Sequence, residues 1–500
     1  MDSLSGLFYG LSVAMQPGNL LYCFLGALIG TLIGVLPGLG PAATMAMLLP
    51  ITFYLDPVAA IIMLTGIYYG AQYGGSTTAI LINMPGENSS VIACLDGYQM
   101  AKQGRAGAAL AVAALGSLFA GICATFVIAL FAPPLSTMVL SFGPTEYVSL
   151  MLLGLTALIV LAQGSILRAL AMIVLGLLLS TIGTDLATGE SRLTFGISEL
   201  YDGIEFVPIA MGLFAITEIV KNLESPEMRS IVTQKLDRLW PTREDFRRGF
   251  PASARGTALG SVLGLLPGGG SILSCFASYA LEKRLSRHPE EFGKGAVEGL
   301  AGPESANNAG AQTSMIPLLT LGIPSNVVMA LVAGAMMIQG ITPGPQILTQ
   351  HPDMFWGVVA SMLIGNAMLV VINLPLIQLW VKLLKIPYGL FYPAILVFAC
   401  IGVYSVANST ADLYMLIVFG VLGYLLSKWR CEATPLMLAF VLGPMIEENF
   451  RRAMQMSRGD ATVFVTHPIS AVLLAIAVAL LAMAVLPSMR SRRDEAFKEG

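Results

Sequence analysis

Residues 26–40 read GALIGTLIGVLPGLG, and residues 256–270 read GTALGSVLGLLPGGG. The two stretches align without a gap at a spacing of 230 residues, and seven of their fifteen positions are identical: Gly26/Gly256, Gly30/Gly260, Gly34/Gly264, Leu36/Leu266, Pro37/Pro267, Gly38/Gly268 and Gly40/Gly270. In each stretch three glycines four residues apart share one helical face, where a neighbouring helix approaches closely. Each then ends in a break, Leu36-Pro37-Gly38-Leu39-Gly40 or Leu266-Pro267-Gly268-Gly269-Gly270. A helix does not continue through such a run, because proline lacks a backbone donor and glycine populates conformations other residues avoid.

Further matches follow in the same order. Gly70-Ala71-Gln72 corresponds to Gly310-Ala311-Gln312, and Asn83-Met84-Pro85-Gly86 stands where Gly322-Ile323-Pro324-Ser325 stands in the other half. Ser117 and Gly121 match Ser361 and Gly365, and Ser165 and Gly176 match Ser409 and Gly420. The series predicts a duplicated unit of roughly 230–250 residues, an arrangement typical of secondary transporters. The expected division is a first transmembrane repeat over 1–220, a cytoplasmic linker over 221–252 and a second transmembrane repeat over 253–500. Inversion of the two repeats needs an odd number of crossings per half, and it is the expected relation.

Composition supports a membrane reading. The chain has 500 residues, of which 56% are hydrophobic and 11% charged, with a mean hydropathy of +0.77. Soluble domains carry about 25% charged residues, so a soluble enzyme and a disordered chain are both poor readings. A net charge of −3 leaves no basic footprint for nucleic acid. Eleven apolar runs are long enough to span, at about 20–36, 57–82, 106–132, 145–163, 166–183, 204–220, 354–381, 390–406, 411–427, 433–447 and 469–487. Two more apolar regions, 253–281 and 313–342, are broken by Gly and Pro and read as re-entrant hairpins. The predicted fold is thus an all-α polytopic membrane protein with 11–12 transmembrane helices plus helical hairpins.

Lysine and arginine give orientation. Residues 1–101 contain neither, which leaves no positive region for a secretory signal and places the N-terminus outside. The basic stretches 221–255 and 283–294 and the tail (Arg490, Arg492, Arg493, Lys498) read as cytoplasmic. If both flanks of 256–282 are cytoplasmic, that segment enters and returns without crossing.

The breaks are the candidate binding elements. Non-helical backbone at membrane depth persists only where it is buried in protein or lines a watery cavity. Half-helix ends there offer N–H groups to a carboxylate and carbonyls to Na⁺. The candidates at the first breaks are Pro37, Gly38, Gly40 and Thr44, with Pro267, Gly268, Gly269, Gly270 and Ser271 in the other half. The second pair of breaks, GAQYGGSTTAILINMPGENSS (70–90) and GPESANNAGAQTSMIPLLTLGIPSN (302–326), is richer in amides and hydroxyls. Its candidates are Gln72, Ser76, Thr77, Asn83, Pro85 and Gly86, then Asn307, Asn308, Gln312, Thr313, Ser314, Pro324, Ser325 and Asn326. Glu87 and Glu304 suit a cation site. The competing reading is that these groups only bond across helices. No row of Asp, Glu and His suggests a proton wire, which favours Na⁺ over H⁺ as coupling cation. The six cysteines and three histidines are scattered without metal or nucleophile spacing, so no cofactor, metal centre or catalytic residue is expected.

At these residues the chain resembles the TctA family, the large membrane subunits of tripartite tricarboxylate transporters. The resemblance rests on the motif around 34–41, on PGENSSVIACLDGYQMAKQGRAG (85–107), TGESRLTFG (188–196), LPGGG (266–270), GPESANNAG (302–310), and LGIPSN with GITPGP (321–326, 340–345). The second break has Ser325 where the resemblance leads one to expect glycine. The resemblance implies a multi-pass protein of the bacterial inner membrane that takes up citrate or a related carboxylate with a cation. It implies two protein partners, a small four-helix membrane subunit (TctB-like) and a periplasmic solute-binding protein (TctC-like). The rival readings are a stand-alone carboxylate carrier, a channel-like pore, and a membrane enzyme. The last would need an acid/base pair or metal cluster that the sequence does not offer.

Overall fold

The computed structural model describes residues 3–36, 40–161, 165–185, 187–224, 240–267, 270–383 and 391–485. These residues are almost entirely helical. The first half holds α1 (Ser3–Ala14), α2 (Pro17–Val35), α3 (Pro41–Thr52), α4 (Pro57–Ile82), α5 (Val91–Met100), α6 (Ala106–Val139), α7 (Pro144–Leu161), α8 (Ile166–Ser180), α9 (Phe206–Ala210) and α10 (Thr217–Glu224). The second half holds α11 (Arg243–Leu263), α12 (Gly270–Leu285), α13 (Val297–Thr313), α14 (Met315–Leu321), α15 (Val327–Ile338), α16 (Ile347–Gln350), α17 (Pro352–Asn373), α18 (Ile377–Leu383), α19 (Phe391–Ala407), α20 (Thr410–Lys428), α21 (Ala433–Met456), α22 (Val463–Thr466) and α23 (Pro468–Val485). The strands among the described residues, Gly183–Thr184 and Ser191–Arg192, pair in one small antiparallel hairpin.

Each of the eleven apolar runs overlaps helix among the described residues, with 204–220 reaching from α9 into α10 and 354–381 from α17 into α18. Five helical stretches among the described residues are long and apolar enough to cross a membrane: Pro17–Val35, Asn88–Val139, Phe206–Glu224, Pro352–Asn373 and Thr410–Lys428. The chain is an all-α polytopic membrane protein. Helices enter the stretch 221–252 from both sides. The helix α10 runs to Glu224, and α11 already begins at Arg243. There the Thr242 hydroxyl accepts from Asp245 N (3.1 Å), while the Asp245 carboxylate accepts from Thr242 N (2.9 Å), a capping box that satisfies two orphan donors. Residues 225–239 lie outside the described residues.

Two close helix pairs organise the core. A Cβ on Gly26, Gly30 or Gly34 of α2 would collide with the carbonyl oxygens of Met63, Ile67 and Ala71 on α4. On Gly256, Gly260 or Gly264 of α11 it would collide with those of Gly302, Ala306 and Gly310 on α13. Within each pair the helices run parallel, with small residues letting the backbones meet. The helices α6 and α17 pack between the pairs and against each other.

The pairs point in opposite directions. At one end, Arg105 before α6, Arg248 and Arg255 on α11 and the start of α13 come together: Arg105 pairs with Asp245, Arg255 with Glu282 (2.5 and 2.8 Å), and Arg248 with Glu298 (2.8 Å) and Glu291 (2.6 Å). We call this the basic end. From it α6, α11 and α13 run away, while α12 returns to it, bringing Glu282 back to Arg255. The helix α17 runs antiparallel to α6, since Gly121 faces Asn366 while Ser117 and Ala113 line a pocket with Asn373. The helix α4 runs parallel to α17, with Val58 near Gly357 and Tyr69 at Gly365.

Outside this core α8 packs on α21 and α7 on α23. The opposite end holds the β hairpin, where Asp185, Arg192, Glu447 and Arg451 form a cluster with contacts of 2.6–2.8 Å. Three neighbours hold the Asp185 carboxyl down at about 2: chiefly the Ala187 backbone N–H, then Arg451 and the Thr188 hydroxyl.

Candidate functional site

The site lies where the second breaks cross the long core helices. Both breaks use the same backbone. Asn83 ends α4 in the left-handed region (φ 57°), and Gly322 ends α14 there (φ 74°). Asparagine tolerates that region better than most residues, and glycine adopts it freely. Four residues later the chain is extended again: Glu87 (φ −148°) opens the turn Asn88–Ser90, and Asn326 (φ −155°) opens α15, capping Met329 N at 2.9 Å. Between these points Gly86 lies so close to Gly75 and the Gly34 carbonyl that a side chain has no room. Ser325 lies buried beside Ser314 and donates to its carbonyl at 3.0 Å. The serine that departs from the expected glycine is therefore accommodated by a hydrogen bond of its own.

These contacts correct one alignment made from sequence. Gly75 and Ser314, Gly86 and Ser325, Glu87 and Asn326, and Ala71 and Gly310 are each 239 residues apart. The Gly-Ala-Gln match, at 240, is one residue out of step with the packing. By packing, Gln312 stands in the place of Tyr73 and Gln72 in that of Ala311. The side-chain partners agree. Tyr73 reaches α17 (Tyr73 OH to Asn366 Oδ1, 3.3 Å), as Gln312 reaches α6 (accepting from Thr125 Oγ1, 3.4 Å).

Around the first break a polar network is buried. Ser76 donates to Glu304 Oε2 at 2.6 Å. Ser89 is in hydrogen-bond contact with Glu87 Oε1 and also reaches Gln72 Oε1 at 3.0 Å. Asn307 Nδ2 lies 3.5 Å from Glu87 Oε1, and Asn308 Nδ2 donates to Ser117 Oγ at 2.6 Å. Several buried atoms have no hydrogen-bond partner: the donors Gln72 Nε2 and Gln312 Nε2, and the acceptors Asn307 Oδ1, Asn308 Oδ1 and Asn373 Oδ1. Such atoms are rare in native interiors and point to a bound group. The adjoining pocket, lined by Tyr73, Ser76, Thr77, Ser117, Glu304 and Asn373, has room for about one water molecule. In this conformation it is closed to anything as large as a carboxylate.

Around the second break the Tyr68 hydroxyl faces Ser271, Ser314 and Asn326. Ser271 thus joins α12 to this cluster. Thr313 and Ser314 also bond within their own helical turns.

The other predicted residues fall as follows. Thr44 bonds back to Gly40 O (3.2 Å), Thr77 back to Tyr73 O (3.1 Å), and neither joins a cross-helix bond. Gly270 opens α12 against Gly264, and Pro267 precedes it half-buried. Pro324 is buried in the second tip. Asn83 and Pro85 are exposed and stand apart from the network. Pro37, Gly38, Gly268 and Gly269 lie outside the described residues.

Three participants were missed from sequence. Tyr68 and Tyr73 sit in a run that reads as apolar. Asp96, fully buried, accepts from the N–H groups of Gly293, Gly295 and Ala296 at 2.8–2.9 Å and from Tyr279 OH at 3.0 Å, fixing α5 to the start of α13. Its signal was available: a lone acid opposite a Gly-x-Gly turn that begins a helix.

Two oppositely directed helix pairs, each meeting a broken helix at a buried polar network, define a membrane transporter core. The chain matches the Tripartite tricarboxylate transporter TctA family over residues 20–438 and belongs to that family. It is 59% identical over 499 residues to an uncharacterized 52.8 kDa protein in the TAR-I ttuC′ 3′ region of Agrobacterium vitis, covering 100% of this chain and 99% of that one. A second Agrobacterium vitis protein, from the TAR-II ttuC′ 3′ region, is 61% identical over 240 residues, covering 48% of this chain and 99% of its own length. No solved structure matches.

Proposed function

We propose that this chain is the translocating subunit of a binding-protein-dependent, cation-coupled importer of tricarboxylates or related carboxylates, working in a bacterial inner membrane. Its partners in this reading are a small four-helix membrane subunit and a periplasmic solute-binding protein. The basic end faces the cytoplasm by the positive-inside rule. The core halves are inverted repeats, divided by a linker over 221–252, and the opposed α2/α4 and α11/α13 pairs support this.

The observation that carries the reading is the closed polar pocket at the helix breaks, with its unpartnered amides. Replacing the water around a carboxylate requires donors of this kind. Gln312 Nε2 and the hydroxyls and amide of the Tyr68, Ser271, Ser314 and Asn326 cluster supply them. Opening the pocket to alternate sides then moves the solute across. Import needs no bond-making chemistry, and belonging to a transporter family agrees with a protein that is not an enzyme.

The test is uptake of labelled di- and tricarboxylates into proteoliposomes containing this chain and its small partner. The assay is run with and without the binding protein and with Na⁺ or H⁺ gradients. Accumulation that needs the binding protein and one gradient is the expected result. Accumulation without the binding protein would make the chain a self-sufficient carrier, and gradient-independent equilibration would make it a pore.

A further inference from the structure

We propose that Glu87, Glu304 and Asn307, with the hydroxyls of Ser76 and Ser89, form a binding site for one monovalent metal cation of sodium's class. The proposal deepens the cation-coupled reading and rests on it.

Charge is the first argument. Glu304 is 3% exposed and Glu87 lies against the same network. Burying a carboxylate without compensation is expensive, and the compensation is usually a base or a metal. Three other buried acids have partners: Asp245 pairs with Arg105, Glu282 with Arg255, and Asp96 with three backbone N–H groups. Glu87 and Glu304 meet hydroxyls, one amide and the Ser90 backbone N–H, and no base. Among the described residues no Lys, Arg or His is buried at all.

The unpartnered acceptor is the second, independent argument. Asn307 is fully buried and its Nδ2 is turned toward Glu87, yet its Oδ1 has no donor. The nearby hydroxyls already donate, to Glu304 and to Glu87, so their lone pairs face the same space. A group of carboxylate, carbonyl and hydroxyl oxygens short of donors suits a hard cation.

The packing register gives the count. At the second tip, 239 residues along, Asn326 stands for Glu87; 239 residues before Asn307 stands Tyr68, and before Glu304 stands Thr65. All three are neutral, and Thr65 bonds back to Ile61 and Ile62. Among the described residues the arrangement therefore occurs at one tip and has no symmetric copy at the other.

The experiment is binding of radioactive Na⁺ to the purified full chain in lipid nanodiscs, without any carboxylate. Wild type is expected to bind saturably near one ion per chain. Glu87→Gln, Glu304→Gln and Asn307→Ala are expected to weaken binding by roughly 10–100-fold, the usual range for disturbed metal sites. Size-exclusion and thermal unfolding confirm folded protein. Glu304→Asp, which keeps the charge, serves where Glu304→Gln does not fold. Unchanged Na⁺ affinity in the folded variants, or no binding by wild type, overturns the proposal. Uptake assays on the same preparations separate the two readings: Na⁺-dependent uptake with unchanged binding in the variants sinks only the site, while uptake indifferent to every cation gradient sinks the coupling.

Discussion

At one tip Gly86 lies against Gly75 and Glu87 opens the next turn; at the other Ser325 lies against Ser314 and Asn326 opens the next helix. The backbone path is the same, down to the left-handed residue that ends each preceding helix. The chemistry is not. The first tip gathers two carboxylates and an orphan carbonyl, and the second gathers hydroxyls and an amide. A shared frame thus leaves side-chain charge free to diverge, with carboxylates at one tip and neutral groups at the other.

The harshest way to break the comparison is to attack the frame itself. Gly30→Val and Gly260→Val push a branched side chain into the facing carbonyl of Ile67 or Ala306. Each is expected to cost at least about 1–3 kcal/mol by overpacking. Both should reduce folded yield in detergent to a similar degree, measured by fluorescence-detected size exclusion. A large inequality would mean the two pairs are not equally constrained. Next, Glu87→Asn makes the first tip like the second. It should abolish cation-driven uptake while leaving folded yield intact, whereas Asn326→Glu should impair carboxylate uptake by placing a like charge among the donors. Gln312→Ala removes one amide donor of the second tip and should lower uptake by roughly tenfold, as loss of one hydrogen bond to a charged group is worth about 1.5–3 kcal/mol.

Milder changes sharpen the comparison. Asn83→Gly copies Gly322 at an exposed left-handed position and should leave uptake within about twofold of wild type, since glycine is the default there. A loss of transport would instead give Asn83 a direct role. The smallest expected effect is at the β hairpin. Asp185 is held low by the Ala187 N–H and Arg451, so its contribution is present above about pH 4. It is lost as pH falls toward about 2. Hydrogen exchange of residues 183–192 should rise over that window, and Arg451→Ala should move the rise to higher pH.

Hydropathy and the Pro-Gly punctuation placed the helices and both sets of breaks, because those signals are local. The glycine faces named the helix contacts, although not their partners. The identity of Gln72 with Gln312 misled by one residue, since a three-letter match carries less information than three glycines seated on three carbonyls. Tyr68 and Tyr73 were hidden by their own amphipathy: a phenol in an apolar run reads as packing until its hydroxyl is seen to face a network. The helix α1 and the partners of Asp96 depend on contacts between segments distant in sequence, which no local pattern encodes.

The ion pairs of Arg105, Arg248 and Arg255 hold α11, α12 and α13 to their neighbours at one end of the core. At the far end the close of α3 is held by uncharged bonds, Gln339 to the Thr52 carbonyl and Tyr54 to that of Ser405 (2.7 Å), while the β hairpin carries its own ion-pair cluster. Raised ionic strength screens ion pairs and leaves neutral hydrogen bonds nearly untouched, so salt loosens the grip around α11, α12 and α13 and at the β hairpin while sparing the end of α3.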